Sequence, residues 1–409
     1  MSAVPPNGTT PLARREARLA WGLLAPTLIS VALVVLLPLL AIFWISFKPI
    51  GLADLRPPAP ILRESVRGAG DDLRVEYRLR NSSQETPVTG VTLSDTFPEG
   101  VTLRGDLPAP CALTGQELTC DIGTIEGGYN ERIIIPLAAE DADLTEDLAE
   151  ASLPRVTGQS DSILTNTTFT LDNFARIFDG EEFWGVFGVT MFYTVFGTVG
   201  ALGVGLFAAL LLNKSFRGQG ILRGLYLFPY VAPIIAVAFS WLILFDPFSG
   251  SANALLVQMG VTDQAINFFG ERPLALIMVT VFEIWRYFPL SFLFILARMQ
   301  AIDSDMYEAA DMDGASPFQK FWYLSMPQLL GILSVLFLLR FIWTFNKFDD
   351  IFLLTGGNAG TRTLTVNVYE QAFAVSNIGA GAAVAVVIFL CLLSFSVFFF
   401  KFMSREEGL

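Results

Sequence analysis

Histidine is absent from all 409 residues, which removes imidazole bases, Ser-His-Asp triads and the commonest protein ligand of zinc. The dipeptide Gly-Lys is missing as well, so no Walker A loop can form and the chain cannot supply an ATP site of that kind. Charge is scarce: Asp, Glu, Lys and Arg make up 16% of residues, against 53% hydrophobic, and the mean hydropathy is +0.54. Such a composition belongs to membrane proteins. Cysteine is limited to three positions.

Long apolar runs carry the first positive signal. Uncharged stretches able to cross about 30 Å of hydrocarbon lie at residues 21–47, 183–212, 224–245 and 378–400. Two more spans contain charges: 273–297 includes Glu283 and Arg286, and 329–345 includes Arg340. Six membrane helices are expected. Arg14, Arg15 and Arg18, then Lys214, Arg217 and Arg223, Arg298 and Lys320, and Lys401 and Arg405 all fall on one side if both termini are cytoplasmic. The first span is too long for a secretory signal and is read as a retained anchor.

The net charge of −13 has a local origin, since residues 51–182 hold ten Arg and no Lys against twenty-four Asp and Glu, a balance of −14. This acidic insert between helices 1 and 2 lacks the basic groups that nucleic acid requires. Leu73–Arg80 alternates apolar and charged residues as a half-buried strand does. Further strands are predicted at 91–93, 101–103, 118–122 and 133–137, with a turn at Asp95-Thr96-Phe97-Pro98-Glu99-Gly100. Together they predict a small all-β, immunoglobulin-like insert with its core at about 57–153, followed by an acidic linker after Glu140. Cys111 and Cys120 flank Gly115, a turn residue, and either form a disulfide in an oxidising exterior or stay as a reduced pair; Cys391, inside the last span, reads as a packing residue.

One loop decides the function class. Between two spans stands Glu308-Ala309-Ala310-Asp311-Met312-Asp313-Gly314-Ala315-Ser316-Pro317-Phe318-Gln319-Lys320-Phe321-Trp322-Tyr323-Leu324-Ser325-Met326-Pro327. Asp305 is expected to cap a first helix in a capping box with Glu308, Gly314 to close it, and Ser316-Pro317 to start a second. Phe318, Phe321, Trp322 and Ser325 then share one face of the second helix. That stripe is buried by a partner's groove or folds back onto its own membrane domain.

The loop at 303–328 resembles the EAA loop of ATP-binding-cassette importer permeases. Phe341-Ile342-Trp343-Thr344-Phe345-Asn346-Lys347-Phe348-Asp349-Asp350 and the following Gly356-Gly357 are similar to the segment before the last helix in the sugar-permease, MalF-like group. Leu171–Phe178 resembles the amphipathic lead-in to the second span of those proteins. The likeness covers about residues 14–50 and 170–405, and the insert interrupts it.

The resemblance implies a mainly α, MetI-like core of six transmembrane helices: residues 1–50 (cytoplasmic N-terminus and first helix), a periplasmic insert at 51–170, and five further helices in 171–409. It implies ATPase coupling through Glu308, Ala309, Ala310, Asp313, Gly314, Phe318, Phe321, Trp322, Leu324 and Pro327. A carbohydrate pathway would be lined by Glu283, Tyr287, Leu290, Phe345 and Asn346, with Arg286 alongside. The position of Glu283 is typically an amide in maltose-type members. An internal Glu283–Arg286 ion pair is the other reading of those two side chains, and Arg340 would be a structural partner for a carboxylate or backbone carbonyls. Implied partners are a second, MalG-like permease, two ATPase subunits that bind ATP and Mg, a periplasmic solute-binding protein that the insert contacts, the carbohydrate itself and membrane lipid. No cofactor, catalytic residue or metal site is expected in this chain. Rival readings are a permease for glycerol phosphate or another polar solute, a membrane-anchored adhesion protein and a membrane enzyme.

Overall fold

The computed structural model describes residues 11–68, 72–84, 86–139, 153–178 and 182–406. The chain forms two compact units, Met1–Asn173 with Ala372–Gly379, and Phe174–Gln371 with Ala380–Leu409. Residues 140–152, where the acidic linker expected after Glu140 begins, lie outside the described residues.

The first unit opens with α1 (Pro11–Val31) and α2 (Leu37–Ser46), joined by a π-helical turn at Ala32–Leu36 into one apolar helix. Its end is stitched to the segment that returns from the insert. Lys48 is fully buried, and its ammonium donates to the Asn166 carbonyl, to Asn166 Oδ1 at 3.1 Å and to the Thr168 carbonyl at 3.0 Å. The Trp44 and Phe169 rings lie 4.8 and 4.2 Å from it. Asn173 Nδ2 in turn donates to the carbonyls of Ser46 and Lys48. A buried cation needs such an oxygen and π cage, and the cage holds the two ends of the insert together.

Between those ends the described residues form eight strands: β1 (Pro60–Arg67), β2 (Arg74–Asn81), β3 (Val88–Thr96), β4 (Val101–Leu103), β5 (Cys111–Thr114), β6 (Glu117–Ile125), β7 (Asn130–Ala139) and β8 (Arg155–Gln159). They form two antiparallel four-stranded sheets, in the orders β1-β2-β7-β4 and β5-β6-β3-β8. Val75, Tyr77, Ile135 and Leu137 of the first sheet pack with Leu93, Leu118 and Cys120 of the second. Period-2 alternation made β2 legible, and short apolar segments between turn residues marked β3, β4, β6 and β7, whereas β1, which begins at a proline, and the four-residue β5 were not predicted. The last strand, β8, lies past residue 153, so the β region runs further than its sequence pattern indicates. Cys111 and Cys120 sit opposite each other in the β5–β6 register and are joined by a disulfide, with Gly115 at φ +66° in the intervening turn.

In the second unit a short α3 (Asp172–Phe178), whose first two residues lie in the first unit, precedes α4 (Glu182–Leu212). Small residues recur every four positions along α4, at Gly197, Ala201, Gly205 and Ala209, and this face packs on α9 (Leu274–Gln300). Such a stripe lets two backbones approach closely, which is how helices associate in a solvent as apolar as their own side chains. A Cβ added at Gly205 would lie 2.6 Å from Ser291 Cβ and 2.8 Å from the Phe292 nitrogen.

The stretch expected as the third span is not one straight helix. It is built from α5 (Gln219–Tyr226), α6 (Phe228–Val231) and α7 (Ile234–Leu244), and bends by 90°. Pro233 has no N–H and drives Ala232 to an extended ψ of 143°, so helical bonding stops there. Among the described residues five helices are long and apolar enough to cross a membrane, or six if the bent pair is one span. After α8 (Ser251–Gln258) and α9 come α10 (Ser304–Met312), α11 (Pro317–Lys320) and α12 (Met326–Phe345). A π segment at Phe321–Ser325 joins α11 to α12, giving one helix of 29 residues. The chain closes with α13 (Asp349–Thr355), α14 (Leu364–Tyr369) and α15 (Ile378–Glu406).

Candidate functional site

Two places stand out: a buried polar cluster among the helices and an exposed turn that presents aromatic side chains. The first is a buried cluster where α4, α9 and α12 meet. Glu283, on α9, is fully buried. Its Oε1 accepts from Arg340 Nη2 at 2.6 Å and from Thr344 Oγ1 at 2.9 Å, both on α12, and its Oε2 accepts from Tyr193 on α4 at 3.1 Å. A Cβ at Gly197 would come within 3.0 Å of Glu283 Cγ, so the glycine makes room for the carboxylate. Three donors and one full positive charge offset the desolvation that a buried carboxylate suffers.

Arg286, three residues further on, does not pair with Glu283. Its guanidinium donates to the carbonyls of Pro229 and Ala232, both at 3.0 Å. Those are carbonyls at the break in the third span, and the arginine satisfies acceptors that a continuous helix would have bonded. Of the two sequence readings of this side of α9, the Glu283–Arg286 ion pair is absent: Arg286 bonds backbone carbonyls, and Glu283 pairs with Arg340.

Tyr287 joins this cluster from one helical turn away. Its hydroxyl accepts from Lys347, and the Lys347 ammonium and Arg340 guanidinium lie 4.3 and 4.7 Å from its ring centroid. Lys347 also lies 3.4 Å from Asp349 and 3.9 Å from the fully buried Asp350. Leu290 is half-buried. Phe345 is buried among Phe183, Phe341 and Val384, and Asn346 is exposed, its amide bonded to the Ile342 carbonyl. The expected pathway set thus splits: Glu283 and Tyr287 share one cluster, while Phe345 packs in an aromatic core. Tyr193, Thr344, Lys347 and Asp350 were not singled out in the sequence. Lys347 and Asp350 could have been, because charges flanking an apolar span demand partners.

The second place is the turn between α10 and α11. The cap of α10 is Asp303, with extended ψ of 129° and its carboxylate accepting from the Asp305 N–H; Asp305 is not the cap and Glu308 is exposed. Gly314 has φ +75°, the left-handed conformation that favours glycine. Ser316 caps α11 in a reciprocal box with Gln319, and Pro317 follows at the first helical position. Lys320 bridges back to Asp311 at 2.5 Å.

The π segment then shifts the helical face. Phe318 and Tyr323 are 71% and 77% exposed, Trp322 is exposed and stacks edge-on against Phe318 and Phe321, and Met312 is exposed beside them in sequence. Ser325, expected on the same stripe, is buried and bonded to Tyr307 at 2.8 Å. One extra residue in the turn moves Ser325 to the packed side and Tyr323 to the open side. Ala309, Asp313, Gly314 and Pro327 are exposed, and Ala310, Phe321 and Leu324 are half-buried.

The family described as "Binding-protein-dependent transport system inner membrane component" matches residues 201–405. The chain is 35% identical over 230 residues to the inner membrane ABC transporter permease protein YcjO of Escherichia coli (strain K12), covering 56% of this chain and 78% of the relative. It is 32% identical over 232 residues to the trehalose/maltose transport system permease protein MalF of Thermococcus litoralis, again covering 56% and 78%. It is 30% identical over 240 residues to the sn-glycerol-3-phosphate transport system permease protein UgpA of Yersinia pestis, covering 58% and 80%. A bacterial ABC transporter involved in import of the acidic polysaccharide alginate shares the fold at a TM-score of 0.55 and 19% identity, over 59% of this chain and 85% of that one. With half of its length matched by the family and more than three quarters of each of these relatives covered, the chain belongs to the binding-protein-dependent transport system inner membrane components: it is an ABC transporter permease subunit, not an enzyme, and ATP hydrolysis is done by a partner ATPase.

Proposed function

We propose that this permease couples a cytoplasmic ATPase to the import of a carbohydrate, an oligosaccharide or α-glucoside, by alternating access. The observation that carries the reading is the continuity of the helix Pro317–Phe345. One end presents Phe318 and Trp322, and the other holds Arg340 and Thr344 on the Glu283 carboxylate. From Phe318 to Arg340 a helix runs about 33 Å at ~1.5 Å per residue. A partner that grips Glu308, Ala309, Ala310, Asp313, Gly314, Phe318, Phe321, Trp322, Leu324 and Pro327 therefore moves the buried cluster as one lever.

ATP and Mg bind the two ATPase subunits, whose closure favours one of two packed states of the membrane helices. A second, MalG-like permease completes the pathway. Glu283, Arg286, Tyr287, Leu290, Phe345 and Asn346 form the sugar-facing side, reached when the helices part and Tyr287 and Asn346 are freed for hydroxyl groups. Both termini are cytoplasmic and the insert is periplasmic, a reading supported by the Lys and Arg bias of the short loops. The two β-sheets make an immunoglobulin-like domain that contacts the solute-binding protein.

A second solute class has its own support. The likeness to a glycerol-phosphate permease and the cations around Tyr287 fit a phosphorylated solute. Reconstitution with the cognate ATPase, second permease and binding protein tests both. ATP-dependent uptake of labelled maltose or trehalose supports the carbohydrate reading, uptake of glycerol phosphate alone replaces it, and uptake that survives loss of the ATPase sinks the coupling reading.

A further inference from the structure

The outer face of the β1-β2-β7 sheet carries a feature that only the strand register reveals. Arg63 of β1 stands opposite Arg78 of β2, which stands opposite Arg132 of β7. Arg67 stands opposite Arg74, and Arg80 lies two residues beyond Arg78 on the same face. Directly paired residues share a face about 5 Å apart, and the alternate positions Val75, Tyr77 and Leu79 are buried in the core. Six of the ten arginines between residues 51 and 182 are thus gathered on one side of three adjacent strands.

Charge neutralisation within the face is small. Glu76 is the one carboxylate at these strand positions, and it pairs with Arg74 at 3.1 Å and Arg67 at 3.7 Å. Arg78 donates to Asn130 at 2.9 Å. Arg63, Arg80 and Arg132 are exposed and have no hydrogen bond or ion pair among the described residues. Like charges placed opposite each other destabilise a sheet. In a segment with a balance of −14, arginines scattered among the acids would stabilise the fold, yet they are concentrated together.

We propose that this face docks a carboxylate-rich surface of the external solute-binding protein; the identity of the partner rests on the function proposed above, and the new element is the face and its chemistry. The surface is built on a regular sheet and none of its arginines lines a described cavity, so it suits a broad macromolecular surface over a small enclosed ligand. The segment uses arginine and no lysine. The guanidinium fork matches carboxylates in pairs and is enriched at protein interfaces, whereas a lipid surface attracts either cation as a point charge.

The test uses the assembled transporter in nanodiscs, titrated with its solute-binding protein at low and high salt. The variant Arg63→Ser/Arg80→Ser/Arg132→Ser should weaken binding on the order of tenfold at low salt and flatten its salt dependence, while its melting temperature stays the same or rises as repulsion is relieved. The matching Arg→Lys set should keep the salt dependence and recover part of the affinity. Unchanged affinity and salt slope in the serine variant overturn the docking face and leave the permease reading intact. A wild-type complex that does not bind the solute-binding protein overturns both. Arginine-dependent binding to vesicles of anionic phospholipid, with binding-protein affinity unchanged, reassigns the face to the membrane and overturns the proposal.

Discussion

Arg340 and Glu283, 57 residues apart in the chain, meet at 2.6 Å with side chains only 2% and 1% exposed. Each is the answer to the other's burial: a carboxylate and a guanidinium that could not be held singly in an apolar helix bundle are held as a pair, with Thr344 and Tyr193 completing the carboxylate's hydrogen bonds. The pair ties α9 to α12, and α12 continues without interruption to the aromatic surface at Phe318 and Trp322.

Removing one member of that pair should be far worse than removing both charges. Arg340→Met leaves Glu283 buried without its cation and is expected to cost about 3–5 kcal/mol, enough to deplete folded protein from the membrane. Adding Glu283→Gln should return much of that loss. Thermal unfolding of the detergent-solubilised complex measures both, and a double variant no more stable than Arg340→Met alone would show that the pair is not what the two side chains contribute.

Two glycines on α4 provide a matched comparison. A methyl at Gly203 meets nothing within 4 Å, so Gly203→Ala should be neutral or stabilising by up to about 1 kcal/mol through helix propensity. At Gly205 the same methyl meets the backbone of α9, and Gly205→Ala should separate the helices and destabilise by about 1–3 kcal/mol. Equal melting temperatures for the two variants would contradict the close approach of α4 and α9.

Arg286 should prove structural for the broken span. Arg286→Ala deprives the buried Pro229 carbonyl and the part-buried Ala232 carbonyl of their donor, at about 1–3 kcal/mol for the buried acceptor left unmet. The expected readout is faster proteolysis within residues 219–244. If the segment is cut no faster than in the parent protein, other donors hold the break.

The turn at Gly314 separates conformation from contact, because a Cβ there has open space around it and the cost of substitution is set by φ +75° alone. Gly314→Asn, a residue that tolerates the left-handed region, should retain uptake, whereas Gly314→Val should lose most of it through a strain of about 1–2 kcal/mol localised at the turn. Gly314→Asp, which places a charge beside the partner surface, should uncouple ATP hydrolysis from uptake while the complex still assembles. Wild-type uptake by the valine and aspartate variants would detach this turn from coupling.

Much of the architecture was legible because it repeats locally. Apolar length marked the spans, period-2 alternation marked β2, turn residues bounded four more of the described strands, and Gly314, Ser316 and Pro317 marked the helix junction through conformational preferences that act within a few residues. Local patterns also misled where a single residue changed the phase. The π segment at Phe321–Ser325 exchanged Ser325 for Tyr323 on the exposed side, and Asp303, not Asp305, took the cap because helical bonding starts at Ser304. The break at Pro233 divided a stretch that composition alone presents as one continuous span.

Sequence alone therefore yields the inventory: apolar helices, an acidic β insert, a helix-turn-helix between two spans, and three charges within apolar spans in search of partners. The pairing was set by packing in three dimensions. Glu283 chose Arg340 across 57 residues over Arg286 at three, and six arginines spread over three strands became one surface through register. The physical reason is the same in both cases. Propensity and periodicity act along the chain, whereas the energy of a charge depends on which side chains and how little water lie around it in space, and that is set only when helices and strands have packed.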